Sequence, residues 1–287
     1  MKRTGPFIIS EFKIPIEGWN EDILMVPFGD VHRTTKRCHE EKWHEQLDWM
    51  KVQVAKGKPL YVLGMGDYDD FLSASERFKI HTAGLHETTE EKFDEILDRH
   101  VKMFYEEIKF LKGHIIGLIE GNHHGLYFKS GITSTQRLCQ LLECDYLGGS
   151  ALIKLHFKRG SKCLALVIYA HHGKGGGRTA GSSVNSVEQM TQIAEADIYL
   201  QAHDHKKWIY KQTRLRLAPK GLALQERQML FGRTGSFLRA YVPGTQGYVS
   251  EGMMKPADMG VIKVIITPKR TKKGGVEKLI LDLHGSI

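Results

Sequence analysis

The sequence predicts an α/β fold of packed sheets covered by helices. Three observations carry that expectation. Short apolar runs of strand length alternate with stretches of helical period from residue 22 to about 202. The last quarter is rich in glycine, threonine and β-branched residues, as antiparallel strands are. No internal repeat or low-complexity linker interrupts the order. Alternation followed by strands fits a layered domain with sheets packed face to face. The chain of 287 residues reads as one domain over 1–287, with a helical insertion or cap around 71–112 and a mostly β C-terminal part over 208–287.

The elements follow in order. DILMVPF (22–28) is a buried strand run. In HEEKWHEQLDWMKVQVAKGK, Trp43, Leu47, Met50 and Val54 fall at steps of four, three and four, one face of a helix that Gly57 closes. PLYVLGM (59–65) is the next strand. Phe93, Ile96, Leu97, Val101, Phe104, Ile108 and Leu111 then keep helical spacing until Gly113, and HIIGLIE (114–120) is the third strand. TSTQRLCQLLE predicts a short helix, and ALIKLHF and KCLALVIYA predict strands. SSVNSVEQMTQIAEA predicts a helix with Ser182 or Ser183 as N-cap and Val184, Val187, Met190 and Ile193 inward. ADIYLQA is a strand, and YVPGTQGYVS and MGVIKVIITP are expected as antiparallel strands.

Composition bounds the function. Hydrophobic residues make up 41% and charged residues 26%, ordinary for a globular protein. The formal charge of +8 favours polyanionic partners such as nucleic acid, although many soluble proteins are mildly basic. Cys38, Cys139, Cys144 and Cys163 form no CxxC pair and sit in core-like runs, so reduced structural thiols are expected. No segment has the ~20 apolar residues of a membrane span, and the N-terminus lacks a long apolar signal region; the cytoplasm is the expected compartment, with no membrane partner.

The polar residues gather where the strands end. DILMVPF runs into Gly29-Asp30-Val31-His32, and PLYVLGM into Gly66-Asp67-Tyr68-Asp69-Asp70. HIIGLIE runs into Gly121-Asn122-His123-His124, KCLALVIYA into His171-His172-Gly173, and ADIYLQA into His203-Asp204-His205. In open α/β sheets, ligands bind beyond the carboxyl ends of strands. Asp, Asn and His supply the oxygen and nitrogen donors that suit divalent metals of the Mn, Fe and Zn kind. Any one block alone reads better as a turn, an N-cap or an exposed loop. Five in succession point to a metal centre.

Together GDVH, GDYDD, GNHH, HHG and AHDH resemble the five blocks of the calcineurin-like metallophosphoesterases, over residues 24 to about 240. The resemblance implies a four-layer α/β/β/α sandwich, two sheets flanked by helices, with a two-metal site at one edge. It implies that Asp30, His32 and His205 hold one metal, that Asn122, His171 and His203 hold the other, and that Asp67 bridges them. His123 would be the catalytic acid and Asp70 the carboxylate that orients it or a ligand. At the fourth block His171 comes first off the strand and is preferred, with His172 the alternative or a phosphate contact. The chain departs from the family at His124, where an acid is usual, and at Ala202, where glycine is usual.

Two divalent ions, Mn²⁺ first and Fe, Zn, Ni, Co or Mg as alternatives, would neutralise a phosphoester and lower the pKa of a water to make hydroxide for attack. No serine lies in a G-x-S-x-G context, which disfavours a serine hydrolase. The expected activity is a phosphodiesterase, a nuclease on DNA. The alternatives are a phosphatase or small-molecule phosphodiesterase and, from another class, a non-catalytic binding module. Candidate substrate contacts are His124, His172, Lys174 and Arg178 of the glycine-rich loop, and Lys207, Trp208 and Lys211 of HKKWIYKQTRLRLAPK. The competing reading of that basic stretch is a solvated hairpin with Trp208 packed inward. Asp69 and Asp204 are expected to be solvated, and PKRTKK (268–273) to be a basic turn.

Overall fold

A computed structural model describes residues 2–4, 7–175, 177, 179–217, 222–242, 256, 258–273 and 276–287. Thirteen strands and five α-helices appear among them. One sheet runs in the order β1 (Lys2–Thr4), β2 (Phe7–Pro15), β6 (Ser150–Arg159), β7 (Lys162–His171), β8 (Ile198–Gln201), β10 (Leu224–Ser236), β11 (Gly260–Val261), with β9 (Lys207–Leu217) also paired to β10. The other runs β13 (Val276–Ser286), β12 (Lys263–Lys273), β3 (Ile23–Phe28), β4 (Leu60–Gly64), β5 (Ile115–Leu118).

The two sheets pack face to face. Ile23 and Met25 of β3, Ile153 and Leu155 of β6, Ile198 and Leu200 of β8 and Val264 and Ile266 of β12 share one dry core between them. The opposite face of the second sheet is covered by α1 (Glu40–Ala55), α3 (Glu87–Ile108) and α4 (Ser134–Leu142), through Trp43, Leu47, Leu97, Phe104 and Leu138 packed with Val26, Phe28 and Val62. The opposite face of the first sheet is covered by α5 (Ala180–Glu188), through Val187 and the neighbouring Met190 against Tyr169, Tyr199 and Phe231. Each sheet is therefore apolar on both faces, which is why its central strands read as unbroken apolar runs. The result is two sheets flanked by helices, as the sequence predicts.

Several expectations change. The 71–112 segment is no separate cap: α3 buries Leu97, Val101, Phe104 and Ile108 in the sandwich. Only α2 (Ala74–Thr82), closed by a Ser73–Glu76 capping box, has no buried residue. Thr179, not Ser182 or Ser183, caps α5 by accepting from Ser182 N; Ser183 is buried, and Ile193 lies outward at 60% exposure. PKRTKK is strand rather than turn, since β12 runs through it against β13. Strand β2 has a period-two burial pattern, which a search for continuous apolar runs passes over. Most of YVPGTQGYVS lies outside the described residues.

Candidate metal centre

Strands β3, β4 and β5 run parallel in one sheet, and β7, β8 and β10 run parallel in the other. Their carboxyl ends meet at one edge of the sandwich, and the backbone stitches them together. Asp30 N donates to Gly66 O at 2.9 Å, His32 N to Asp67 O at 3.0 Å, and Ala202 N to His172 O at 2.9 Å. His203 N donates to Asp30 Oδ2 at 2.8 Å, which ties the two sheets across the site.

The turns are tight in a distinctive way. Among the described residues, seven non-glycine positions have positive φ: Asn20, Asp30, His32, Asp67, Glu143, His203 and His205. Five of them are proposed ligands. Left-handed backbone is unfavourable for side-chain-bearing residues and persists where surrounding structure over-determines it, typically at functional sites. Glycine fills the closest approaches: a Cβ on Gly121 would collide with the Asp67 carboxylate, and one on Gly66 would come within 2.5 Å of His172 Nδ1.

Three donor groups result among the described residues, each with ligand atoms within 4.8 Å of one another: Asp30, His32 and His205; Asp67, His172 and His203; and His32, Asp70 and His123. Asn122 joins the second, its Oδ1 2.9 Å from His172 Nε2 and 2.8 Å from His203 Nδ1. Asp67 Oδ2 sits 3.2 Å from His172 Nε2 and 3.8 Å from His32 Nε2, between the first two groups. Asp70 Oδ1 lies 2.5 Å from His123 Nδ1 and 3.8 Å from His32 Nδ1.

These residues fit divalent ions. Asp30 Oδ1 and both ring nitrogens of His32 are buried without a hydrogen-bond partner. Such orphans are rare and costly in native proteins unless something else satisfies them, and converging lone pairs of mixed N/O type are what a cation satisfies. Electrostatics agrees. Burial, followed by the charge of His172, brings His203 down to about 4. Burial, with the charge of His32, brings His205 down to about 3, so both imidazoles are neutral and keep a lone pair near neutral pH. Burial also pushes Asp30 up, against the opposing charges of His172 and His32. For Asp67 burial acts in the same sense, but the charge and hydrogen bond of His172 overcome it and hold the carboxyl well below its ordinary range. His172 responds in reverse: burial would strip its proton, yet Asp67 pushes it up to about 9.

At the fourth block the structure corrects the choice of histidine. His172, 3% exposed, turns into the cluster, with Nδ1 2.8 Å from Met65 O and Nε2 toward Asn122 and Asp67. His171 turns away, accepting from Gly173 N at 2.7 Å. Alternation along β7 sends consecutive side chains to opposite sides, so only one of the pair can reach the site.

The remaining candidates fare differently. His124 donates from Nδ1 to Gly121 O at 2.7 Å and faces Glu120 rather than the donor groups. Lys174 is exposed at the rim, and Arg178 lies outside the described residues. The basic stretch after His205 is committed internally. Lys207 Nζ bonds Met259 O at 2.9 Å and pairs with Asp258, and Lys211 Nζ bonds Leu283 O at 3.0 Å. Trp208 donates to Ser183 Oγ at 3.1 Å and packs with Tyr210 against the α5 side of the sheet, which replaces the expectation of a substrate-stacking surface. Asp204 and Asp69 are not solvated: the Asp204 side chain is 1% exposed, and Asp69 is held by Thr34 and by His100 at 3.3 Å.

The sequence reading also passes over Arg77 and Arg233. Arg77 Nη1 donates to the carbonyls of Leu72, Asn122 and His124 at 2.9, 3.1 and 2.7 Å, holding the GNHH loop from α2. Arg233, 1% exposed on β10, reaches the His203–His205 turn from below. Neither lies near its target in sequence, so no motif spacing reveals it.

No protein-family model matches the chain, and no curated protein matches it. Among solved structures the chain is similar to Vacuolar Protein Sorting 29 from Cryptosporidium parvum, with 12% identity over 94% of this chain and 100% of that one, at a TM-score of 0.36. No helix among the described residues is long and apolar enough to cross a membrane.

Proposed function

We propose that the protein is a two-metal phosphoester hydrolase. The observation that carries this reading is the pair of adjoining donor groups, Asp30–His32–His205 and Asp67–His172–His203, with Asp67 between them and buried lone pairs left unsatisfied. Asp30, His32 and His205 would hold one divalent ion; His172, His203 and Asn122 the other; Asp67 both. Mn²⁺ is the first candidate. Bound there, the ions would supply charge neutralisation of the phosphoester and activation of water.

The chain's own groups do the rest. Asp70 fixes the His123 ring through Nδ1, which leaves Nε2 to deliver a proton to the departing oxygen. The imidazole-rich set limits negative charge around an anionic substrate. Gly66 and Gly121 let the strand-end loops close around Asp67.

Among substrates, phosphoesters of small organic groups are favoured over DNA. The charge of +8 still favours DNA, but Lys207, Trp208 and Lys211 are spent inside the protein. The test starts from metal-stripped protein. Mn²⁺ should bind at two ions per chain, with turnover of p-nitrophenyl phosphate or its bis ester restored by metal and abolished in Asp67→Asn. Stoichiometric Mn²⁺ binding without turnover of either ester, of mononucleotides, or of single- or double-stranded DNA would replace the hydrolase with a metal-binding module. Cleavage of DNA alone would return the nuclease reading.

A further inference from the structure

The end of the sandwich opposite the metal centre is built from hairpin ends. β7 runs from Lys162 toward the site at His171, so the turn that follows Arg159 of β6 lies at the far end. β10 reaches the site at Ser236, whose Oγ donates to Asp30 O, so Leu224 at its start lies about 40 Å away, at about 3.3 Å per residue. β12 pairs antiparallel with β3 and runs away from the site to Lys273. The stretches 158–162, 213–227 and 268–278 of these hairpins hold twelve of the chain's 41 lysines and arginines but two of its 33 acids, so the rest of the chain carries more acids than bases. Other acids at that end lie in the loops entering β3 and β8, and Glu195 and Asp197 of the latter are paired with Arg227.

The β9–β10 ribbon projects beyond its neighbours. β8 pairs with β10 only from Leu230 onward, so residues 224–229 and their partners 212–217 stand as two strands with no third hydrogen-bonded to them among the described residues. The two faces of this ribbon differ. Leu217 is opposite Leu224 in register, with Leu215 on the same face; Arg214 and Arg216 alternate onto the other. Leu215, Leu217 and Leu224 are 66%, 68% and 68% exposed, and Leu222 is fully exposed. A single exposed leucine needs no explanation, but four at one strand end mark a contact surface. Arg214 and Arg216 are exposed too, with no ion-pair partner among the described residues. Glu226 is the acid of this ribbon end, opposite Leu215 and one step behind Leu224.

Leucines on one face and arginines on the other suit a membrane interface: apolar side chains enter the acyl boundary while arginines reach the headgroup phosphates. Single-stranded nucleic acid would call for aromatic platforms, and residues 211–227 hold no Phe, Tyr or Trp. A duplex would gain nothing from the leucines. We infer that this pole docks on an anionic phospholipid bilayer, the leucines of the β9–β10 ribbon entering it and Arg214 and Arg216 pairing with lipid phosphates. The contact is peripheral, in place of the expected absence of a membrane partner. It leaves the metal centre at the end away from the lipid and does not depend on the hydrolase reading.

The test is co-sedimentation with vesicles, without added divalent ion. The protein should bind vesicles of phosphatidylcholine and phosphatidylserine at about seven to three, and hardly at all those of phosphatidylcholine alone. Arg214→Gln with Arg216→Gln should weaken binding about 30-fold, the worth of two cations at an anionic leaflet. Leu217→Ser with Leu224→Ser should weaken it at least about tenfold. Both double variants replace exposed side chains and should keep the parent's thermal midpoint. In Leu222→Trp, brominated phospholipid should quench the added tryptophan. No binding to the anionic vesicles would overturn the inference. Binding that survives both double variants, or an added tryptophan that is not quenched, would overturn its assignment to this ribbon. Two further results would also overturn it, each with no vesicle binding: duplex DNA binding lost in the arginine variant would assign the pole to nucleic acid, and a dimer that the leucine variant dissolves, seen by sedimentation, would assign it to a second copy.

Discussion

Arg233 and Asp204 face each other at 3.4 Å with both side chains 1% exposed, directly beneath the two histidines of the last strand end. The separation is that of an ion pair; Arg233 Nε is not aligned for a hydrogen bond. Arg233 Nη1 donates instead to Ala202 O at 2.5 Å, and Ser183 Oγ donates to Asp204 Oδ2 at 2.5 Å. Asp204 Oδ1 accepts from Lys206 N at 3.1 Å. The side chain between two proposed ligands is thus anchored below while the ligands, both at positive φ, point above. Such a turn stays closed only if something holds it.

Breaking this pair should cost more than a surface pair would. Arg233→Ala takes away the buried cation and leaves Asp204 with the part-exposed Lys206 Nζ at 3.4 Å, so up to about 3 kcal/mol of stability should go, measured by urea unfolding of metal-free protein. Asp204→Asn keeps the shape and loses the charge, and should lower affinity for the ions by ~10–100-fold, as changes behind metal ligands do. Metal affinity unchanged in Asp204→Asn would reduce the pair to a structural role.

Metal-free stability should peak near the ordinary histidine pKa of about 6.5. His172 is raised to about 9, so the stability its charge contributes is complete below pH ~6.5 and is lost as pH rises toward 9. His203 and His205 are depressed to about 4 and about 3, so their contribution is complete above pH ~6.5 and is lost as pH falls through those values. Binding of the second ion requires a neutral His172, so it should release a proton at pH 7, and affinity should climb with pH up to about 9. Calorimetry in buffers of different ionisation enthalpy reads the proton directly. A protonless binding event at pH 7 would contradict the charge assigned to His172.

His172→Ala and His171→Ala should separate cleanly. The first removes a donor from the cluster and should abolish stoichiometric binding of one of two ions. The second removes a ring that faces away and should change metal affinity by no more than about twofold, the scatter expected for uncoupled sites. Equal losses in both would restore His171 as a ligand.

Much of this was legible in the chain, and the reason is periodicity. Phe28, Leu63, Leu118, Ala170 and Leu200 lie in apolar runs because both faces of each sheet are covered, so the polar residue that ends each run stands out. What was not legible depends on direction and on distance along the chain. Consecutive histidines at 171 and 172 differ only in the side of β7 they leave from, which the register with β6 and β8 decides. Trp208 and Lys207 read as a basic, aromatic track, and only the packing of β9 beside α5 and near Asp258 shows where those side chains end. Arg77 lies 45 residues from Asn122 and Arg233 lies 31 from Ala202, separations that no local pattern encodes.

Arg77→Ala should loosen one loop selectively. The carbonyls of Asn122 and His124 lose the donor they share with Leu72 O, at a cost of about 1–3 kcal/mol. Hydrogen exchange should accelerate at the amides of residues 121–125 and not in β8. Uniform acceleration would mean that the arginine stabilises the fold as a whole.

Replacing Lys207 and Lys211 together by alanine tests where their charge is spent. Each cation that neutralises a DNA phosphate contributes about −0.9 to the slope of log affinity against log salt. If both lysines tracked a backbone, the double variant would flatten that slope by nearly two. Their ammonium groups are instead bonded to Met259 O and Leu283 O and paired with Asp258 and Asp282. The slope for any residual DNA binding should therefore stay within about half a unit of the parent, while the thermal midpoint falls. Lys207 should account for most of that fall: its side chain is only 11% exposed, and it joins β9 to the segment leading into β11, whereas Lys211 at 34% exposure is better screened.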